Sequence, residues 1–159
     1  MRYAMKTESS FPPLLARLTE DNAAELYLSV PKKWIPIGYP VKAEIMFTGE
    51  WDPVRSEDVA AVIEQLASSH RHDRDRFWLV SRNPDAPHVI VRSYADGPLE
   101  SYVLGRRQWV ALPDDDPLVG ADRGDWDEML LRETGVVRQC LEDEWHQRHA
   151  SPNSHARRH

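Results

Sequence analysis

The chain has a single cysteine, Cys140, among 159 residues. An internal disulfide is therefore excluded, as is an all-cysteine metal site, and a reducing cytosol is the natural setting. Long apolar runs are missing as well. The longest are a few residues, far short of the ~20 that a membrane helix needs. The stretch Met1–Ser10 carries Arg2 and Lys6 but no apolar segment of signal-peptide length. These absences predict a soluble, cytoplasmic protein with no membrane partner. Positive charge is also in deficit: the net charge is −6 with histidines neutral, which argues against nucleic acid as a partner. No Gly-x-Ser-x-Gly elbow and no glycine-rich phosphate loop occurs. Cys140 has Val136, Val137 and Leu141 as neighbours and reads as a buried, inert thiol. The sequence accordingly assigns no catalytic residue, no cofactor and no metal.

What the chain does have is acid in one place. Between Pro113 and Glu133 lie Asp114, Asp115, Asp116, Asp122, Asp125, Asp127, Glu128 and Glu133, opposed only by Arg123 and Arg132. Such a run repels itself in a compact state, so it belongs in water or against a basic partner. Counted from Asp114, an EF-hand would need glycine at the sixth position and a bidentate glutamate at the twelfth; Val119 and Asp125 stand there, so calcium is not implied.

The hydrophobic share of 41% and the charged share of 29% are those of an ordinary globular domain. One domain over 1–149 is expected, followed by a disordered polar tail over 150–159. Phe11-Pro12-Pro13 ahead of Leu14, Leu15 and Leu18 suggests a short helix opening at a proline. Residues 25–30 alternate as a half-buried strand, and Pro31, Pro36, Gly38 and Pro40 suggest a rigid loop around Trp34 and Ile35. Alternation resumes at Val41, Ala43, Ile45 and Phe47. Ser56 is a candidate N-cap for a helix whose stripe is Val59, Val62, Ile63 and Leu66. Phe77–Val80 reads as a strand covered on both faces. Strands follow over His88–Tyr94, Leu99–Leu104 and Gln108–Leu112, separated by the turn signals Asp96-Gly97 and Gly105-Arg106-Arg107. Trp126, Met129, Leu130, Val137, Leu141 and Trp145 recur at helical spacing, with Gly135 expected to split them into two helices. The sum is an α+β fold. Two early strands and a four-stranded antiparallel meander are packed on one face by a central and a C-terminal helix.

Two groups have metal-like spacing. His70, His72, Asp73 and Asp75 fall within six residues, but Arg71, Arg74 and Arg76 interleave and oppose a cation, so a solvated loop is preferred. Glu142, His146 and His149 share a helix face, an arrangement equally at home on an exposed helix end.

Six tryptophans are many for this length. The core can hide Trp78 and Trp145. Trp34 and Trp51 sit beside Pro and Gly and are more simply gap-fillers than contacts. Trp126 lies inside the acidic run, where it either plugs a gap under the loop or, as a rigid aromatic beside carboxylates, has the composition of an interface. From Ser56-Glu57-Asp58-Val59 through Leu66, then Trp78-Leu79-Val80, Val89-Ile90-Val91 and Tyr102-Val103-Leu104-Gly105, the layout resembles small α+β immunity proteins that neutralise bacterial polymorphic toxins. The likeness covers about a third of the chain and carries no binding residue over. It implies a helix before a meander, and an acidic surface that plugs a toxin's basic active site.

The leading expectation is a non-enzymatic protein-binding module of the immunity, antitoxin or accessory type, with a basic protein surface as its partner. Its contact residues would be Asp114, Asp115, Asp116, Asp122, Asp125, Trp126, Asp127 and Glu128. A second reading is a small enzyme or ligand carrier with a pocket between the sheet and the C-terminal helix, lined by Arg92, Tyr94, Tyr102 and Gln108. A third is a structural subunit whose sheet edge pairs with a copy of itself as a homodimer.

Overall fold

A computed structural model describes residues 1–8, 11–38, 42, 44–68, 75–81, 88–94 and 97–156. The fold is α+β, with two antiparallel sheets of five strands each. In the first, β1 (Arg2–Glu8), β2 (Phe11–Leu18), β3 (Ala24–Leu28), β4 (Lys33–Ile37) and β5 (Asp52–Val54) are ordered β4-β3-β2-β1-β5. In the second, β6 (Asp75–Val80), β7 (Val89–Tyr94), β8 (Leu99–Val103), β9 (Gln108–Ala111) and β10 (Asp127–Met129) are ordered β10-β6-β7-β8-β9. The helices are α1 (Val59–Ser68) and α2 (Leu131–Ala156).

Side-chain alternation sorts the buried residues into three apolar layers. Ala4, Leu14, Ala16, Leu26, Leu28 and Ile35 turn to one face of the first sheet. They meet Phe77, Leu79, Ile90 and Tyr102 of the second, with Val137 and Cys140 of α2 completing this central core. On the opposite face of the first sheet, Leu15 and Tyr27 pack on Val59, Val62 and Leu66 of α1. On the outer face of the second sheet, Trp78, Val80, Val91 and Leu99 are covered by Leu118, with Leu112 and Trp126 beside it.

The meander β6 to β9 and the helix α1 lie where their sequence signals put them. Phe77 to Val80 are all buried, as a strand covered on both faces requires. Gly97 N–H donates to the Tyr94 carbonyl at 2.7 Å in the β7–β8 turn; Asp96 lies outside the described residues.

Other expectations are corrected. Phe11–Leu18 is a strand, not a helix. Leu14 and Ala16 face the central core while Leu15 faces α1, so both sides are apolar and the alternation is hidden. Its prolines are tolerated because Pro12 and Pro13 sit at the register shift against β1, before pairing with β3 begins at Ala16. The loop expected around Trp34 is the edge strand β4, in which Pro36 opposes Glu25. Pro53 occupies the other edge, β5, so both borders of this sheet carry a residue that cannot donate to an added strand.

Where alternation suggested a strand from Val41, Glu44–Thr48 form a wide π-type helical turn; Val41 and Ala43 lie outside the described residues. Ser56 opens a short 3-10 turn ahead of α1 rather than capping it. The cap position is Arg55, whose guanidinium instead bonds Asp58 at 3.0 Å. Met129 belongs to β10, opposite Phe77, not to a helix. Gly135 does not divide the C-terminal segment into two helices. Instead α2 runs unbroken from Leu131 to Ala156, across the range expected as a polar tail, and 157–159 lie outside the described residues. One exposed helix glycine costs ~1 kcal/mol, which the buried contacts on either side of it outweigh.

The start of α2 joins the layers. Glu133, the third residue of the helix, accepts hydrogen bonds from the Leu130 N–H at 2.9 Å and the Ser29 N–H at 3.2 Å. This serves half of a capping box and ties the helix to the end of β3. Next to it, Arg132 donates to the Pro12 carbonyl at 2.6 Å.

Candidate functional site

The acidic segment is a folded strap across the outer face of the second sheet. Its anchor is Leu118, 7% exposed, packed with Trp78, Val80, Val91 and Leu99. Two aspartates shape the backbone before any partner is considered. Asp116 accepts from the Leu118 N–H at 2.9 Å, while Asp122 caps the turn Arg123–Asp125 by accepting from the Gly124 N–H at 3.0 Å. Both uses are the ordinary side-chain-to-backbone bonds of aspartate in turns.

The eight carboxylates therefore divide by task. Asp114, Asp115, Asp122 and Asp125 are exposed, and none forms an ion pair among the described residues. Asp116 is half-buried in its turn. Asp127 pairs with Lys33 at 2.7 Å and Glu128 with Arg76 at 2.6 Å, both from other elements. Glu133 is buried at the head of α2, where desolvation raises its pKa against the opposing effect of its backbone hydrogen bonds.

Trp126 is half-buried. Its ring meets Trp78 edge-on, with centroids 5.9 Å apart. The Arg123 guanidinium lies 5.0 Å from the Trp78 ring centre and 5.8 Å from that of Trp126, and Arg76 reaches the Trp78 ring at 5.2 Å. An open hollow of about 530 Å³ lies here, between Val30-Pro31 and the strap. The expected contact set is thus brought to one region but used unequally. Trp126, Asp127 and Glu128 are engaged with the protein's own rings and cations, and the free charge resides in the aspartates ahead of them.

The pocket lining expected from the sequence is not assembled. Arg92 pairs with Glu100 at 2.9 Å and lies over Trp109. Tyr94 is exposed, Gln108 is exposed on the edge strand β9, and Tyr102 is buried in the central core. A different cleft, of about 330 Å³, lies between β4, β6 and α2. Ile35, Ile37, Leu79, Val137 and Leu141 make its apolar walls, with Cys140 among them and Lys33, His88, Asp127 and Glu144 as polar groups. Burial pushes the Cys140 thiol up, opposed by a hydrogen bond from the Gly38 backbone and reinforced by Asp143, Glu144 and Glu44. The thiol is therefore protonated at neutral pH and reacts slowly, unlike an activated catalytic cysteine.

No family model, curated protein or solved structure matches the chain. Function rests on these side chains alone.

The metal-like spacing on α2 does not converge. Glu142 is buried, accepting from the Gly105 N–H through both oxygens at 3.2 and 3.3 Å, with His146 Nε2 at 3.5 Å. His149 instead stacks on Trp145 at 3.9 Å, its Nδ1 2.8 Å from the Trp145 carbonyl. Among the described residues, no group of three His, Cys, Asp or Glu is placed to hold a metal. His70, His72 and Asp73 lie outside them. Also among the described residues, no helix is long and apolar enough to cross a membrane.

Sequence reasoning missed the cleft because its walls come from segments far apart in the chain. The one available signal was the helical spacing of Val137, Cys140, Leu141 and Glu144, which is equally that of a buried stripe.

Proposed function

We propose that the protein is a binding module for another protein, and that its strap docks on a basic surface. The supporting observation is the contrast between rigidity and free charge. Asp114, Asp115, Asp122 and Asp125 project from a segment pinned by Leu118 and Trp126, and none has a cation of its own among the described residues. A held array of like charges loses little entropy on docking and creates a field that speeds encounter with a positive patch. Val119, 37% exposed between these aspartates, adds an apolar contact. Trp126 contributes by fixing the strap. This is the arrangement expected of an immunity-type protein that occludes a basic active site, and steric occlusion with charge complementarity is the proposed mechanism.

The test is affinity capture of the intact protein's partner at low salt, then stopped-flow association with Asp114, Asp115, Asp122 and Asp125 changed to asparagine. Slower association with a flatter salt dependence supports the reading. Association of the variant at the wild-type rate and salt slope removes the strap from the interaction.

A further inference from the structure

The cleft between β4 and α2 has a composition that selects a ligand class, a reading independent of the strap. Its long walls are two apolar stripes. Ile35 and Ile37 of β4 form one, alternating along the strand with Trp34 and Pro36. Val137, Cys140 and Leu141 of α2 form the other, with Leu79 between them. At about 330 Å³ the cleft is at the small end of metabolite sites, which run from about 300 to 1,000 Å³.

Its polar groups decide the rest. Lys33 and Asp127 both line the cleft and face each other at 2.7 Å, so its most closely paired charges are of opposite sign. A ligand bearing only a carboxylate would take Lys33 and strand Asp127, whose side chain is 22% exposed. A ligand bearing only an amine would take Asp127 and leave Lys33 unpaired, because Glu144, the other carboxylate of the cleft, is already paired with Arg148 at 3.6 Å. A zwitterion with both charges on one carbon gives each side chain a new partner when the pair opens, so no partly buried charge is abandoned. We propose that this cleft binds a free aliphatic α-amino acid, its side chain between Ile35, Leu79 and Leu141 and its ammonium and carboxylate between Asp127 and Lys33.

Cys140 is the chain's only thiol, lines the cleft and is buried there, so its alkylation rate is low because the cleft must open, and is lowered further by a ligand that holds the cleft closed. The experiment measures that rate in the intact protein with leucine, isoleucine or methionine, and with 4-methylpentanoate, 3-methylbutylamine and glycine as the part-ligands. Saturable slowing by at least one of the three amino acids is expected. The carboxylate and the amine should require at least about tenfold higher concentration, the fold-change for losing one hydrogen bond to a charged group. Glycine, which has no side chain to bury, should leave the rate unchanged. Lys33→Met, at a side chain 49% exposed, should fold normally and weaken protection by the amino acid about tenfold. The proposal is overturned if none of the amino acids slows alkylation, if 4-methylpentanoate or 3-methylbutylamine protects as well as they do, or if Lys33→Met is protected like wild type.

Discussion

Trp126 stands edge-on to Trp78 at 5.9 Å, with the rings at 70°, so the end of an acidic strap is fastened to the middle of a sheet. Charge alone would drive this segment away from the protein. It stays because Leu118, between Asp115 and Asp122, and Trp126, after Asp125, bury apolar surface, and because Asp116 and Asp122 satisfy backbone donors locally.

Leu118→Ala is therefore expected to loosen the strap without touching any charge. The cost should be about 2–3 kcal/mol, the range for truncating a buried leucine where the site can partly collapse. Urea denaturation would measure it. If the strap docks a partner, the same variant should bind more weakly although Leu118 contacts nothing outside.

Gly105 is the second sensitive point. It has φ +82°, and a Cβ there would come within 2.5 Å of the Trp145 ring. Gly105→Ala should cost about 2–4 kcal/mol, combining left-handed strain with a collision at a close approach. Adding Trp145→Leu should recover part of that loss and leave the strain, so the double-mutant cycle should be clearly non-additive. Additive effects in thermal or urea melts would mean that the two residues do not meet.

Glu133 gives a pH signature. Its folded pKa is raised, chiefly by desolvation, so the folded state holds this proton more tightly than the unfolded chain. The contribution is greatest below the unfolded carboxyl value of about 4.3 and is lost as pH rises through the folded value. Glu133→Gln should remove that slope from the difference between variant and wild-type stability curves. It should also cost about 1–3 kcal/mol, because an amide has one acceptor oxygen for the two backbone donors at Leu130 and Ser29. An unchanged pH slope would show that Glu133 does not titrate differently on folding.

Arg132 fastens α2 to the bulged start of β2 through the Pro12 carbonyl. Arg132→Ala should destabilise by about 1–3 kcal/mol, since a partly buried carbonyl loses a charged donor. A melt unchanged by this substitution would mean that solvent replaces the guanidinium at no loss.

Legibility in the sequence divides along physical lines. The meander was legible because each strand carries its own apolar run, two of the three connections carry a glycine signal at Gly97 and Gly105, and the first carries Asn83-Pro84-Asp85. Helix α1 was legible because Val59, Val62 and Leu66 face one sheet and the other side faces water. Strand β2 was not, because Leu14 and Leu15 are buried on opposite faces and its prolines are harmless only within the bulge that β2 forms against β1. Met129 looked helical because its spacing to Val137 is numerically right, and only its pairing with Phe77 places it in a sheet. Within the candidate site, hydration keeps Asp114 and Asp115 outside wherever the chain goes, so their exposure could be inferred. The engagement of Asp127 by Lys33 and of Glu128 by Arg76 depends on the tertiary fold, and nothing local to the strap announces it.

The bond from Glu133 to Ser29 spans 104 positions, and that from Arg132 to Pro12 spans 120. Sheet residues made early in synthesis, such as Leu26 and Leu28, have their inner cover finished only when Val137 and Cys140 emerge. Assembly of such distant partners is slow. A nascent chain halted before residue 131 is expected to be sticky and protease-sensitive, and adding residues 131–142 should abolish both properties together. Ribosome-stalled chains of graded length would reveal that threshold, which makes the last helix the checkpoint of biogenesis for the whole domain.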